Sequence, residues 1–168
     1  VIKMSDFKLT PCSLGEIKDD IPYKIPSNIK LLGAESFWDK GIYGKGITVA
    51  ILDTGVDADH VCLKDRIIGG KNFTSEGKED DFTDWNGHGT HVAGIAAGNF
   101  ANDKRNNIGI ATKSKLLIVK LATPRENSFP TTIELMEAID YVTRKAEELQ
   151  MPIVINLSFG NNYGSHDG

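Results

Sequence analysis

Three short apolar runs constrain this chain more than any other feature. Ile47-Thr48-Val49-Ala50-Ile51-Leu52, Leu116-Leu117-Ile118-Val119 and Ile153-Val154-Ile155-Asn156-Leu157 are almost continuously apolar and rich in β-branched residues. A strand with one face in water alternates polar and apolar side chains. The first two runs suit strands covered on both faces, as in a parallel sheet, and the third, opened by Pro152, reads as a last strand. Between the second and third runs, Ile133, Met136, Ile139, Val142, Ala146 and Leu149 recur every three to four positions, which predicts an amphipathic helix of about five turns. Residues 67–73 read as another short strand. Asn86-Gly87-His88 reads as a glycine-flanked helix start, followed by Val92, Ala93, Ile95 and Ala96, whose small side chains imply close packing on the sheet. Leu31, Leu32, Ala34, Phe37 and Trp38 fit one short helix stopped by Gly41. Strands alternating with helices make a layered α/β fold with a mostly parallel sheet. Ligands gather at the carboxyl ends of such strands. Those ends are Asp53, the segment after Val119, and residues 156–161.

Composition excludes several classes. The chain has 168 residues, a length that suits one domain. Its net charge of −4 argues against a phosphate-binding surface, so nucleic acid is not an expected partner. No apolar run approaches the roughly 20 residues needed to cross a bilayer, so no membrane partner is expected either. Residues 1–7 are mixed in charge and lack the apolar core of a secretory signal. Cys12 and Cys62, the only cysteines, read as separate reduced thiols and not as a disulfide framework. Residues 1–28 carry Pro11, Pro22 and Pro26 with little periodicity, and read as an extended arm ahead of a domain covering 29–168.

Two segments carry candidate chemistry. Asp53 follows the first apolar run in Leu52-Asp53-Thr54-Gly55-Val56-Asp57. It reads in three ways: a turn-capping acid, half of an aspartic-protease pair, or the carboxylate that orients a catalytic imidazole. The second reading needs two carboxylates sharing a proton, and no second Asp-Thr-Gly occurs. His88 lies in Asn86-Gly87-His88-Gly89-Thr90-His91-Val92-Ala93-Gly94, where glycines on both sides leave an imidazole room to meet a substrate. His88 and His91 stand three apart on one helix and with Asp53 would make a metal trio, but no further nitrogen or sulfur ligand stands at useful spacing. Residues 74–84 read as an acidic polar loop.

Together these segments resemble the subtilisin family of serine proteases, the subtilases, whose Asp box and long His box read like Asp53-Thr54-Gly55 and His88-Gly89-Thr90-His91-Val92-Ala93-Gly94. Ile155-Asn156-Leu157-Ser158-Phe159-Gly160 is similar to the family's substrate-binding strand. The resemblance runs from about residue 29 to the end. It implies a three-layer subtilisin-like α/β fold, truncated here before the last strands and the nucleophile helix. It also implies serine-type endopeptidase chemistry in which Asp53 orients, His88 is the general base, and Ser158, Phe159 and Gly160 bind substrate, while His91 is structural. The family's nucleophilic Ser stands in a Gly-Thr-Ser-Met-like box that does not occur before Gly168, and the oxyanion Asn is missing too. Asn156-Leu157-Ser158-Phe159-Gly160 is similar to a Gly-x-Ser-x-Gly elbow, but position 156 is Asn and the chain order of the triad differs. The chain alone is therefore expected to be inactive. The expected partners are protein or peptide substrates, a C-terminal segment or chain that supplies the Ser, and a second copy in a homodimer. The alternative is a truncated subtilase that keeps peptide binding at most.

Two finer resemblances follow. The arm and first helix, with Ile67-Ile68-Gly69-Gly70-Lys71-Asn72-Phe73 and Leu117-Ile118-Val119-Lys120, look like the bacterial intracellular branch, which implies a cytoplasmic protein. That branch has a short N-terminal Leu-Ile-Pro motif lying across the active site. Leu9-Thr10-Pro11 resembles it, so the arm is either inhibitory or a plain surface segment. Many relatives also bind calcium through an Asp in a His-Pro-Asp-Leu run. The matching His60-Val61-Cys62-Leu63 has Cys62 at that position, and a thiol is a poor ligand for a hard, oxygen-preferring ion. Residues 99–107, rich in Asn and Asp, remain as an oxygen source or a solvated loop, and no cofactor is assigned.

Overall fold

The computed structural model describes residues 27–99, 109–123 and 130–158. The chain order is α1 (Ser27–Leu31), α2 (Ala34–Trp38), β1 (Thr48–Asp53), β2 (Ile67–Asn72), α3 (His88–Ala97), β3 (Lys115–Lys120), α4 (Thr132–Leu149) and β4 (Ile153–Leu157). The four strands form one sheet in the order β2-β3-β1-β4, and every pairing is parallel. The apolar runs of β1 and β3 are buried as expected. Alternate side chains of β1 and β3 point to opposite faces, and both faces are covered.

On one face Ile51, Leu116 and Ile118 pack with Val56, Cys62, Leu63 and the α3 residues Ala93 and Ala97. On the other, Ala50, Leu52, Leu117 and Val119 pack with Ala138 and Val142 of α4. The result is helix, sheet, helix: a three-layer α/β fold. Each of the fully buried Ile, Leu and Val side chains contributes about 1.5–3 kcal/mol. Alanines face the sheet on both helices, and the backbones can therefore approach closely. A capping box starts α4: the Thr131 hydroxyl accepts the Glu134 N–H at 3.2 Å, and the Glu134 carboxylate accepts the Thr131 N–H at 2.6 Å.

One expectation is corrected. The single helix read over residues 31–38 is two short helices, because Gly33 takes φ 71° and breaks the turn between them. Ile29, Ala34 and Trp38 then close a small satellite core, with the Trp38 indole N–H donating to the Ile110 carbonyl at 3.0 Å. The strand β4 does not lie between covered faces. Its outer edge is unpaired among the described residues, and Val154, Ile155 and Leu157 are 57%, 40% and 40% exposed. No helix among the described residues is long and apolar enough to cross a membrane. Of the arm expected over residues 1–28, all but the last two positions lie outside the described residues. Those two open α1.

Candidate active site

Parallel register carries Asp53 to the carboxyl end of β1, beside Lys120 at the end of β3. Asp53 is thus the last residue of the strand and not the first of the turn, because its ladder pairing with Lys120 continues for one residue beyond the apolar run. It is fully buried. Its Oδ1 accepts the Thr54 N–H at 2.8 Å and lies 2.7 Å from His88 Nδ1. Its Oδ2 is buried without a hydrogen-bond partner among the described residues.

His88 opens α3, and its imidazole is 25% exposed. Thirty-five positions separate it from Asp53 in sequence, and the packing of α3 on β1 closes that gap. Gly89 permits the approach. A Cβ at Gly89 would stand 2.2 Å from the Gly55 carbonyl oxygen and 3.2 Å from Asp53 Cβ. The glycine after His88 therefore makes room for the backbone of the Asp53 turn, which the sequence reading, attentive to substrate, did not anticipate.

Burial, the largest influence, pushes the Asp53 carboxyl above its usual range, against the opposing pull of the His88 and Thr54 hydrogen bonds. An ionised carboxylate held in so dry a place gains most when positive charge forms beside it. An ionised carboxylate can only accept, so the His88 proton sits on Nδ1 and the lone pair on Nε2, the ring nitrogen left to take a proton. Protonation there would place an imidazolium against Asp53 Oδ1. The arrangement is that of a general base with its orienting acid.

The metal trio is not assembled. His91 is exposed on α3, whereas Asp53 is buried and spends Oδ1 on His88. No group of three His, Cys, Asp or Glu among the described residues could hold a metal ion. Cys62 is a free, buried thiol in the apolar cluster with Ile51, Val56 and Leu63, surroundings that do not fit a hard cation. Of the residues matched to the substrate strand, Ser158 is exposed just beyond β4, and its hydroxyl accepts the Asn156 side-chain N–H at 2.9 Å. Phe159 and Gly160 lie outside the described residues, as does most of the Asn- and Asp-rich loop.

Two groups near the dyad escaped the sequence reading. Lys120 is fully buried, with its ammonium donating to the Thr83 carbonyl at 2.7 Å. Asp84, read only as the end of an acidic polar loop, accepts five hydrogen bonds. Its Oδ1 takes the N–H groups of Asn86 and Gly87, each at 2.9 Å, and the Thr54 hydroxyl at 2.9 Å. Its Oδ2 takes the Thr90 N–H at 2.9 Å and the Thr90 hydroxyl at 2.6 Å. An acid four positions ahead of a histidine at a helix start was the one available signal, since such acids satisfy first-turn N–H groups.

Comparison with known proteins gives the family. The major intracellular serine protease of Bacillus subtilis (strain 168) is 54% identical over 119 residues, 69% of this chain and 36% of that protein. The intracellular serine protease of Paenibacillus polymyxa is 48% identical over 101 residues, 58% of this chain and 30% of that protein. This chain thus spans about a third of the length of these curated relatives. Among solved structures, the Clostridium perfringens CspB protease matches with a TM-score of 0.66 at 30% identity, over 79% of this chain and 33% of that one. Sphericase matches with a TM-score of 0.64 at 29% identity, over 75% of this chain and 44% of that one. The model of the subtilase family matches residues 44–168. The chain belongs to the subtilase family of serine proteases.

Proposed function

We propose that this chain contributes the orienting acid and general base of a serine endopeptidase, and that a Gly-Thr-Ser box on further polypeptide supplies the nucleophile. The observation that carries the reading is the 2.7 Å contact between His88 Nδ1 and the buried Asp53 Oδ1. In the reaction, the hydroxyl oxygen bonds to the scissile carbonyl carbon while its proton passes to His88 Nε2. The same proton then leaves on the amine as the C–N bond breaks, and water repeats the sequence to free the acyl group. Asp53 holds the imidazole in one tautomer and offsets its transient charge.

The resemblance of the run that includes Ser158, Phe159 and Gly160 to the family's substrate strand supports binding of an extended substrate by backbone pairing. Placement of the protein in the cytoplasm is supported by the names of its intracellular relatives.

Hydrolysis of an unfolded protein substrate tests the reading. Residues 1–168 alone are expected to cleave it no faster than their His88→Ala variant. Adding a downstream segment with the Ser box restores turnover, which His88→Ala then abolishes. Steady hydrolysis by 1–168 that disappears on His88→Ala would show that the nucleophile lies within this chain. Restored turnover indifferent to His88→Ala would overturn the role of His88.

A further inference from the structure

We infer that Asp84 is a positioning residue for the Asp53–His88 dyad: it clamps the exit of β1 to the entry of α3 through two separate arms. The inference rests on the dyad reading above but concerns the placement of the imidazole and not its use in hydrolysis.

The first arm runs through Thr54. The Thr54 hydroxyl donates to Asp84 Oδ1 at 2.9 Å and accepts the Gly89 N–H at 2.9 Å, while the Thr54 N–H donates to Asp53 Oδ1 at 2.8 Å. One residue therefore holds the neighbour of Asp53 and the neighbour of His88 at once. A hydroxyl has a single proton, and whether it faces Asp84 or another acceptor decides which lone pair is free for Gly89. The Asp84 carboxylate settles that orientation, because it can only accept.

The second arm runs through Thr90. Asp84 Oδ2 accepts both the N–H and the hydroxyl of Thr90, and the same hydroxyl oxygen accepts the Asp57 N–H at 2.9 Å. This ties the first turn of α3 back to the segment that follows β1. The N–H groups of Asn86 and Gly87 complete the clamp just ahead of His88. No side chain caps α3 from its own N-cap position, Gly87, so Asp84 supplies that function from three positions earlier. Five charge-assisted bonds to one carboxylate, divided between both sides of the dyad, leave the 2.7 Å Nδ1–Oδ1 contact little freedom to open.

The loop that carries Asp84 is itself anchored. The Val56 N–H donates to the Phe82 carbonyl at 2.9 Å, and the buried Lys120 ammonium takes the Thr83 carbonyl at 2.7 Å.

Histidine nitrogen NMR on the full chain, labelled with nitrogen-15 and with His88 assigned by its loss in His88→Gln, reads the clamp directly. The wild-type protein is expected to show a protected Nδ1 proton. Asp84→Asn keeps the size but replaces one acceptor oxygen with a donor amide, and should speed exchange of that proton with water by about tenfold or more. Backbone amides of Ala93 and Ala97 report whether α3 remains folded. Thr54→Val, which removes only the bridging hydroxyl, should reproduce the acceleration with α3 intact, and Thr54→Ser should restore wild-type exchange. If Asp84→Asn unfolds α3, the Thr54 pair decides alone. Wild-type exchange in Thr54→Val, or the same acceleration in Thr54→Ser as in Thr54→Val, overturns the proposal. A dyad that responds as expected, in a protein whose complemented hydrolysis ignores His88→Ala, would refute the peptidase reading and leave the clamp standing.

Discussion

Replacing Gly89 by Ala tests the closeness of α3 and β1 where the site depends on it. The added Cβ would stand 2.2 Å from the Gly55 carbonyl oxygen, whereas carbon–oxygen contacts settle near about 3.3 Å. The two segments must therefore part by roughly 1 Å, and the obstacle is backbone, not a side chain able to swing aside. If α3 takes the whole shift, the Nδ1–Oδ1 contact opens from 2.7 Å to about 3.7 Å, beyond hydrogen-bond reach. Overpacking of this kind destabilises by about 1–3 kcal/mol. Gly94→Ala on the same helix is the control. Its Cβ meets nothing within 4 Å among the described residues, and relief of a mid-helix glycine should stabilise by about 0.5–1 kcal/mol. Urea unfolding of both variants, followed by circular dichroism, should separate them by at least about 1.5 kcal/mol in opposite directions. Equal stabilities, or a Gly89→Ala protein with wild-type His88 nitrogen shifts, would refute the claim that this glycine sets the approach.

Two further outcomes follow from burial. Because the folded Asp53 carboxyl is raised above its ordinary value of 3.8, the native state binds that proton more tightly than the unfolded chain. The stability this confers is full below the unfolded value and is lost as pH rises through the folded one. Urea midpoints should therefore shift in favour of Asp53→Asn, relative to wild type, as pH climbs from about 3.5 towards neutrality; a shift in favour of wild type would contradict the desolvated carboxylate. Burial likewise pushes the Cys62 thiol up to about 11. In a Cys12→Ser background Cys62 should resist iodoacetamide at pH 8 while folded and react once unfolded in urea; rapid labelling of the native protein would show that the cluster around Cys62 is open.

Local pattern alone determined most of the architecture. Apolar runs marked β1 and β3, whose two faces are both covered, and also β4, whose side chains are largely exposed, and three-to-four spacing marked α4. Asp53 and His88 stood out through the resemblance of their boxes to those of the subtilases, since Asp53 by itself reads in three ways; that the two side chains lie 2.7 Å apart is a product of the fold. Tertiary structure decided what depends on distance between segments. That Gly89 faces the Asp53 turn follows from how deeply α3 beds on β1, and no local pattern records such depth. Asp84 looked like one acid among several in a polar loop, because its five donors come from Thr54, from the residues just ahead of α3 and from its first turn, and only the folded chain gathers them around one carboxylate. The pattern over residues 31–38 fits a single helix, and in the fold Gly33 takes φ 71° while Trp38 donates to the Ile110 carbonyl, a contact that no local pattern records. Hydrophobic periodicity announces an element without fixing which of its apolar side chains are buried: on α4 Ile133, Met136 and Ile139 of the expected stripe stay exposed, while Ala138 and Val142 pack on the sheet. Which neighbour buries a side chain, and at what separation, is settled by the whole fold, and a hydrogen bond lives or dies within about half an ångström of that separation.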